Sequence, residues 1–515
     1  MGKNILQTTN KRVRPLWLCP LIKKIFTLLI LLLLLPVTAL AVEGAPNSLY
    51  VGDQQVINGN NTTFWTTDKS TGGLTEYEGN DDNWNVKYDP STVTLTLKNA
   101  TIKGVYNNVN TSGSGIYAAS SSGPVSLNIV LEEENKVSGM YGINVSSSGG
   151  DASLNISGSG SLTVSGLSGN GIGIFMSSQN SANLMIEEAS VTALGSKDGG
   201  SGVRLITSQT GSPSLTIEVK GGSLQASGET NGIHFLSNVN DATAVANMKV
   251  SGNAMVKASN IITTKDGTGS APELKPAASG SDGTGGIIWD GKSGTVYGNV
   301  TLQEDITIGE GESLTIGQDA SLNTGSHEVI VNGGTLNGAD KITGTVKYAP
   351  TITTQPTSQT VTEGETATFT VVTSGTEPLS YQWQQSTDSG QSWTDIDGAT
   401  DATYTTEATT TSMNGYQYRC VVSNSAGSGE SNAAILTVNA KPTYTITAES
   451  SPAEGGTVTV NGGTSSVSVE ANSTVNLVAT PNAGYRFTGG LLQMKMSPLP
   501  MRPAQALPSP CPPVM

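Results

Sequence analysis

A glycine followed by a β-branched residue returns five times at nearly one interval. The pairs are Gly115-Ile116, Gly142-Ile143, Gly173-Ile174, Gly202-Val203 and Gly232-Ile233, in steps of 27, 31, 29 and 30. A second motif runs in phase with it: Leu127-x-Ile129, Leu154-x-Ile156, Leu184-x-Ile186, Leu215-x-Ile217 and Met248-x-Val250, in steps of 27, 30, 31 and 33. A third follows each of these, in "KVSG", "LTVSG", "VTALG", "SLQASG" and "MVKAS". A strand this short buries too little apolar surface to stand alone. Stacking like units builds continuous Leu and Ile ladders and pairs each backbone with the turns above and below. The expected fold is all-β: a right-handed parallel β-helix, five or six turns of it over 101–260 and residues 101–346 in all.

An open solenoid end presents unpaired strand edges, so a cap is expected before the first turn. Residues 46–100 suit it, with alternating strands in "SLYVGDQQVI" and "KYDPSTVTLTLKNATI". The Gly- and Ser-rich run "GTGSAPELKPAASGSDGTGG" reads as a flexible insertion near 264–286, and the closely spaced β units after it as final, narrower turns. "WNVKYDPSTVTLTLKNATI" and the "GI…L-x-I…VSG" turns resemble a family of secreted β-helix proteins of gut and cellulolytic anaerobic bacteria, carbohydrate-binding and related to pectate lyases. The resemblance spans about residues 46–346 and lies in the pattern rather than in particular site residues. It implies a glycan ligand.

Composition agrees with an all-β chain. Charged residues are 13% and aromatics 5%, against 62 glycines, which fits neither a helical bundle nor an ordinary enzyme core. Alternating Val, Ile and Thr runs oppose disorder. Residues 1–41 have a basic leader, an apolar core from Ile25 to Val37 and small residues at Ala39 and Ala41, so they read as a secretory signal cleaved after Ala41. An uncleaved anchor is the rival, which Pro36 and the small-x-small site oppose. Without this leader and the tail after Gly489, 18 basic residues face 41 acidic ones, a net charge of −23. Nucleic acid, which needs a basic footprint, is excluded as a partner, and a membrane enters only through the signal segment. Divalent cations or cell-wall polymers are better suited. Cys420 is the one cysteine of the body, so no disulfide framework or CxxC metal site exists there.

Ligand chemistry has few candidates. "NDDNW" joins Asp81, Asp82 and Trp84 with two amides, a loop able to hold Ca²⁺ through its carboxylates and stack an indole on a sugar ring. Its plainer reading is a polar turn with a packed Trp. Glu132, Glu133, Glu134, Glu187, Glu188 and Glu218 follow the L-x-I strands and could stack into a Ca²⁺ site, or could simply keep the coil soluble. A polyuronate lyase needs a base, usually Arg or Lys, beside Ca²⁺-holding acids. Arg204 is the only arginine of the coil, with Lys220, Lys249 and Lys257 as alternatives, and the expectation for all four is exposed, solvated charge. His234 is expected on a strand facing solvent or in a turn, and His327 in a turn. They stand 93 positions apart with no serine nucleophile motif, so a triad has no support.

Two smaller modules follow. Residues 351–439 carry strands at sandwich spacing, with Trp383 at the place of a core strand-C tryptophan and Tyr418 two before Cys420, as in a tyrosine corner. They resemble a bacterial immunoglobulin-like domain in which Phe369 stands where the first cysteine would be. That resemblance implies apolar packing in place of the disulfide and a buried, inert Cys420. Residues 443–489 resemble a divergent internalin-type B repeat, through "PAEGGTV" and "TVNLVATPNAGYRF", but lack its closing Thr-Phe-Thr-Met-Pro strand. Joining the third base of each codon to the next two, from Leu507 to Met515, permits T-F-T-M-P-A-G-D. Residues 490–515 are therefore expected to be an out-of-frame, disordered tail, which sequencing of the locus would test.

These readings converge on an exported or cell-surface protein that binds a polysaccharide or another surface ligand without transforming it, the smaller modules acting as spacers or adhesive units. A pectate-type polysaccharide lyase and a structural stalk or adhesin for host protein are the alternatives. No cofactor other than Ca²⁺ is implied, and oligomeric state is not readable.

Overall fold

The computed structural model describes residues 44–56, 62–78, 83–104, 113–208, 212–238, 244–266, 271–471 and 473–490. The expected signal segment, residues 1–41, and nearly all of the expected out-of-frame tail lie outside them.

The repeats build a parallel β-solenoid with three sheets. The first carries the Gly-Ile motif, in Ile116–Ser120, Tyr141–Ser147, Ile172–Ser178, Ser201–Thr207, Asn231–Ser237 and Ile261–Lys265, six turns deep. The second carries the L-x-I motif from Val125–Glu132 to Glu273–Ala278, and the third runs from Thr101–Lys103 to Gly286–Asp290. Each glycine of the Gly-Ile pairs sits where two turns touch. A Cβ on Gly142 would lie 2.3 Å from Val164 Cγ1 and 2.7 Å from the Gly173 carbonyl oxygen, and one on Gly173 would lie 2.6 Å from the Gly202 oxygen. Only hydrogen fits there, so glycine recurs at this step of the coil.

Inside, the columns compensate one another. On the first sheet the residues in register are Ala118, Val145, Met176, Leu205 and Phe235, growing along the chain. On the third sheet Val137, Val164, Ala193, Ala226 and Ala258 line the same levels and shrink. As the first column grows from Val145 to Phe235 the third falls from Val164 to Ala258, which limits the change in filled volume from level to level, as a close-packed interior requires. At the corner after the first sheet the inward column is Ser120, Ser147, Ser178, Thr207 and Ser237. Ser147 Oγ donates to the Gly123 carbonyl at 2.8 Å, and Thr207 Oγ1 to that of Asn180 at 2.6 Å. Asn135 is fully buried among apolar neighbours. Its Oδ1 accepts from the Ala100 amide at 2.9 Å and its Nδ2 donates to the Glu132 carbonyl at 2.9 Å.

The first turn is closed by antiparallel strands. Ser48–Val51 lies against Ile116–Ser120, and Thr63–Thr67, Val86–Asp89 and Thr94–Lys98 extend the second sheet before its parallel rungs begin.

Three expectations require correction. The described residues of 264–286 are not a loose insertion. Glu273–Ala278 continues the second sheet in register, Val245 opposite Glu273 through Val250 opposite Ala278, and Leu274 packs against the core. Its Gly, Ser and Pro content reflects an edge position, where Pro276 costs no ladder bond and Glu273 and Lys275 discourage further pairing. Second, the alignment of Leu215-x-Ile217 with Leu184-x-Ile186 slips by two: Leu184 pairs with Ile217, and Ala182 with Leu215. A slip of two preserves which side chains face inward, so periodicity alone does not detect it. Third, the coil has two cores. The antiparallel hairpin of Gly286–Asp290 and Ser293–Tyr297 divides them: Ile288 points into the first, and Ile287 and Trp289 into the second, with Val296, Leu314 and Ile316. The indole of Trp289 lies on Gly294, where a Cβ would come within 2.8 Å of its ring atoms.

Residues 359–439 form an immunoglobulin-like sandwich. Gln359–Thr362 runs parallel to Ala434–Asn439, which joins Gln417–Asn424 and Ser380–Ser386, and Thr368–Thr370 pairs with Thr403–Thr405 across the core. Phe369, Trp383, Tyr418 and Cys420 are all fully buried. Phe369 stacks on Tyr418 at 4.7 Å between ring centroids, and Trp383 Nε1 donates to the Asp401 carbonyl at 2.9 Å. The Cys420 thiol is free, and burial pushes its pKa up to about 11. The hydrogen bond of a tyrosine corner is not made, because the Tyr418 hydroxyl is buried without a partner. Its ring is held by aromatic stacking instead.

Residues 443–490 form two separate antiparallel pairs, Thr443–Thr447 with Ser466–Glu470 and Gly456–Val460 with Leu477–Pro481. Val460 is the one buried residue among those described there, while Tyr444, Leu477, Val478, Tyr485 and Phe487 are exposed.

Candidate functional site

Asp81 and Asp82 lie outside the described residues. Trp84 is half-buried on the cap, its ring 5.8 Å from that of Phe64 and 5.6 Å from Lys98 Nζ, with Lys87 Nζ 5.8 Å from the Phe64 ring. The indole is thus fixed by an aromatic neighbour and a cation, an amphipathic patch with one apolar body. The acidic residues do not stack on one another. Glu187 stands in register with Ser157 and Lys220, and Glu218 with Met185 and Lys249. Among the described residues no three His, Cys, Asp or Glu side chains gather closely enough to hold a metal. His327 lies within the strand Ser321–Val331, next to a break in its register, not in a turn, and its Nδ1 is 3.3 Å from Asp305 Oδ1.

The richest constellation is on the outward face of the first sheet. Alternation along each strand sends every second residue outward, and parallel register sets Tyr117, Asn144, Phe175, Arg204 and His234 in one row across the turns, which Tyr50 of the antiparallel cap strand extends. Tyr141 stacks on Phe175 at 4.9 Å with 27° between the rings. Arg204 is half-buried, not solvated. Its Nη2 donates to Ser201 Oγ at 3.2 Å, and its Nε is buried without an acceptor. Burial lowers the pKa of its guanidinium from the ordinary value, with Tyr141 and Asp266 acting the other way.

His234 is 8% exposed, which corrects the expectation of a solvent-facing residue. Its Nε2 shares a hydrogen with Thr264 Oγ1 at 2.6 Å, and its Nδ1 is buried and unpartnered. Burial first, then the Arg204 charge, hold its pKa down at about 4, while Asp266 opposes them. The imidazole is therefore neutral at pH 7.

Sequence reasoning named Arg204 and His234 without joining them, and missed Tyr141, Phe175, Thr264 and Asp266. The signal was present. Once the Gly-Ile pairs are aligned, the second residue after each glycine gives Tyr117, Asn144, Phe175, Arg204 and His234 in one column.

Comparison with known proteins bears on a part of the chain. Residues 343–440 match the model of a domain of unknown function, DUF8696. A stretch of 93 residues is 43% identical to Endoglucanase C of Cellulomonas fimi, covering 18% of this chain and 8% of that protein. The chain thus spans a small fraction of the curated relative it matches. Among solved structures, Sidekick-1 immunoglobulin domains 1–5 match at 22% identity and a TM-score of 0.16, over 20% of this chain and 21% of that one. A chimeric titin Z1Z2 matches at 32% and 0.15, over 18% and 98%. No helix among the described residues is long and apolar enough to cross a membrane.

Proposed function

We propose that this is an exported surface protein that holds a polysaccharide on the outward face of its solenoid, with the sandwich and the module after it as spacer or adhesive units. One observation carries the reading: the row from Tyr117 to His234, where stacked rings, a guanidinium and an imidazole share one face of a rigid sheet. Rings offer flat apolar area to a pyranose while the polar groups fix its orientation. Sequence shared with a protein named as an endoglucanase is in keeping with carbohydrate-associated modules, and the reading of residues 1–41 as a secretory leader supports an extracellular place. Binding of the full chain to a panel of plant and bacterial polysaccharides tests this. Phe175→Ala should weaken retention about tenfold, in line with the loss of one ring contact. Retention unchanged by that variant, or no retention on any polymer, overturns it and leaves the stalk or host-protein adhesin.

A second reading, a polyuronate lyase, is favoured by one feature: the half-buried Arg204 releases its proton more readily than a solvated arginine. Ultraviolet absorbance from an unsaturated product, formed from polygalacturonate with Ca²⁺ and lost in Arg204→Gln, would establish it.

A further inference from the structure

Gly456–Val460 and Leu477–Pro481 form a sheet of two strands with one edge left bare. The Asn482 amide donates to the Gly455 carbonyl at 3.0 Å, and the Asn461 amide to that of Asn476 at 2.7 Å. Alternation between these two bonds turns the backbone groups of Val478 and Thr480 toward Gly456–Val460, and those of Leu477 and Ala479 away from it. No strand among the described residues takes that second edge. Every residue of Leu477–Pro481 is exposed, Leu477 by 56% and Val478 by 52%. Strand edges are ordinarily guarded by charge, proline or a bulge. The neighbouring pair follows that rule, since Glu470 ends it with Lys441 Nζ at 3.6 Å. Here neither strand has a charged residue, and the one proline stands at the very end. Two strands alone are marginal in water, and a third or fourth with an apolar face is needed for stability.

We infer that Leu477–Pro481 is a dimerisation strand, which pairs antiparallel with the same strand of a second copy of this chain. With Ala479 opposite its own counterpart, the two Ala479 residues exchange amide-to-carbonyl bonds, and each Leu477 amide reaches the Pro481 carbonyl of the other copy. A strand that pairs with itself in this way makes an isologous contact, which closes at two copies. Val460 stands opposite Leu477 and Val458 opposite Ala479 on one face. The joined sheet of four strands therefore carries a continuous apolar face across the two-fold axis. Charge favours the same place. Between 443 and 490 only Glu449, Glu454, Glu470 and Arg486 are charged, whereas the chain has a formal net charge of −15. Two copies meet here with little of the repulsion that opposes contact elsewhere. A pair joined through this module carries two coils, and linked binding faces hold a repetitive surface more tightly than single ones.

The test is sedimentation of the full chain from about 1 to 100 µM, the range suited to a small interface. The expected result is a monomer–dimer equilibrium. Ala479→Pro removes only an amide that points to the bare edge, and Leu477→Lys adds the missing guard; each should raise the dissociation constant at least about tenfold. Ile435→Lys, at an exposed apolar position of the sandwich, should leave it unchanged. Hydrogen exchange of the wild type supplies a reading that needs no variant: peptides over 477–481 should gain protection as concentration rises, and those over 466–470 should not. Equal exchange over 456–460 in dilute wild type and dilute variants separates loss of pairing from loss of fold. A monomer throughout the range overturns the inference, as does a dimer indifferent to both edge variants. Protection over 477–481 that does not change with concentration would mean that another segment of the same chain covers the edge, and also overturns it. A ladder of larger species in place of a dimer excludes the two-fold contact.

Discussion

Acidification should destabilise the coil through His234. The imidazole is 8% exposed, its Nδ1 has no partner, and the Arg204 cation is its neighbour in register. In the unfolded chain it takes its proton near pH 6.5; in the fold it does so only near 4. Between those values the unfolded chain holds more protons, so stability falls as the pH falls. At about 1.4 kcal/mol per pH unit, the gap amounts to about 3 kcal/mol, present in full above pH 6.5 and lost by pH 4. Several modules unfold in this chain, and a whole-chain signal would mix them. Hydrogen exchange of peptides spanning 231–237, followed in urea at several pH values, reads the local free energy instead. His234→Gln removes the titrating group, so the wild type should lose about 3 kcal/mol more than the variant between pH 6.5 and 4. Parallel loss in both proteins would refute the reasoning.

Gly173→Ala should destabilise its turn by about 2–3 kcal/mol, since the new Cβ meets backbone at 2.6 Å; Gly169→Ala, which meets nothing within 4 Å at φ +54, should cost only the left-handed backbone strain of about 1 kcal/mol. Equal losses in urea titrations of the two would rule out close approach as the cause. Ala193→Val should overpack its level by about 1–3 kcal/mol, and adding Met176→Val should recover most of that by restoring the Val145–Val164 combination found one turn earlier; a double variant no better than the single one would count against compensating columns. Phe369→Ala should cost the sandwich about 3–5 kcal/mol and open Cys420 to a thiol reagent at pH 8, where the native thiol, fully buried with a pKa near 11, stays unmodified. Limited proteolysis should cut within 443–490 before the coil, because Val460 is the one buried residue described there.

The fold was legible where spacing and chemistry coincide. The Gly-Ile pairs fall in register as their alignment requires, because glycine marks a point where a Cβ has no room. The L-x-I ladder was misaligned at Leu215 because inward parity survives a shift of two. The segment 264–286 hid its strand behind Gly, Ser and Pro, the same residues that suit an edge. The hairpin that splits the core was not readable at all. "GIIWD" is apolar on both faces, and only the presence of a second core explains why.

The site was harder to read for a related reason. Its members lie about one turn apart in sequence and come together only by stacking, so no local motif contains two of them. Taken singly, Arg204 is one cation in an acidic coil and His234 one polar residue in an apolar strand. Register converts them into neighbours, and burial removes the water that would otherwise satisfy their N–H groups. At pH 7 the imidazole is neutral, so the pair carries one charge, that of Arg204, which Asp266 favours and burial opposes. Polar residues such as Asn144 on the same row satisfy themselves locally, its Oδ1 accepting from Ser146 Oγ at 2.7 Å. Unsatisfied buried polar atoms are not confined to this pair, since Asn155 Oδ1, Ser178 Oγ and Ser237 Oγ of the coil also lack a partner; what sets Arg204 and His234 apart is that they stand in register on adjacent rungs.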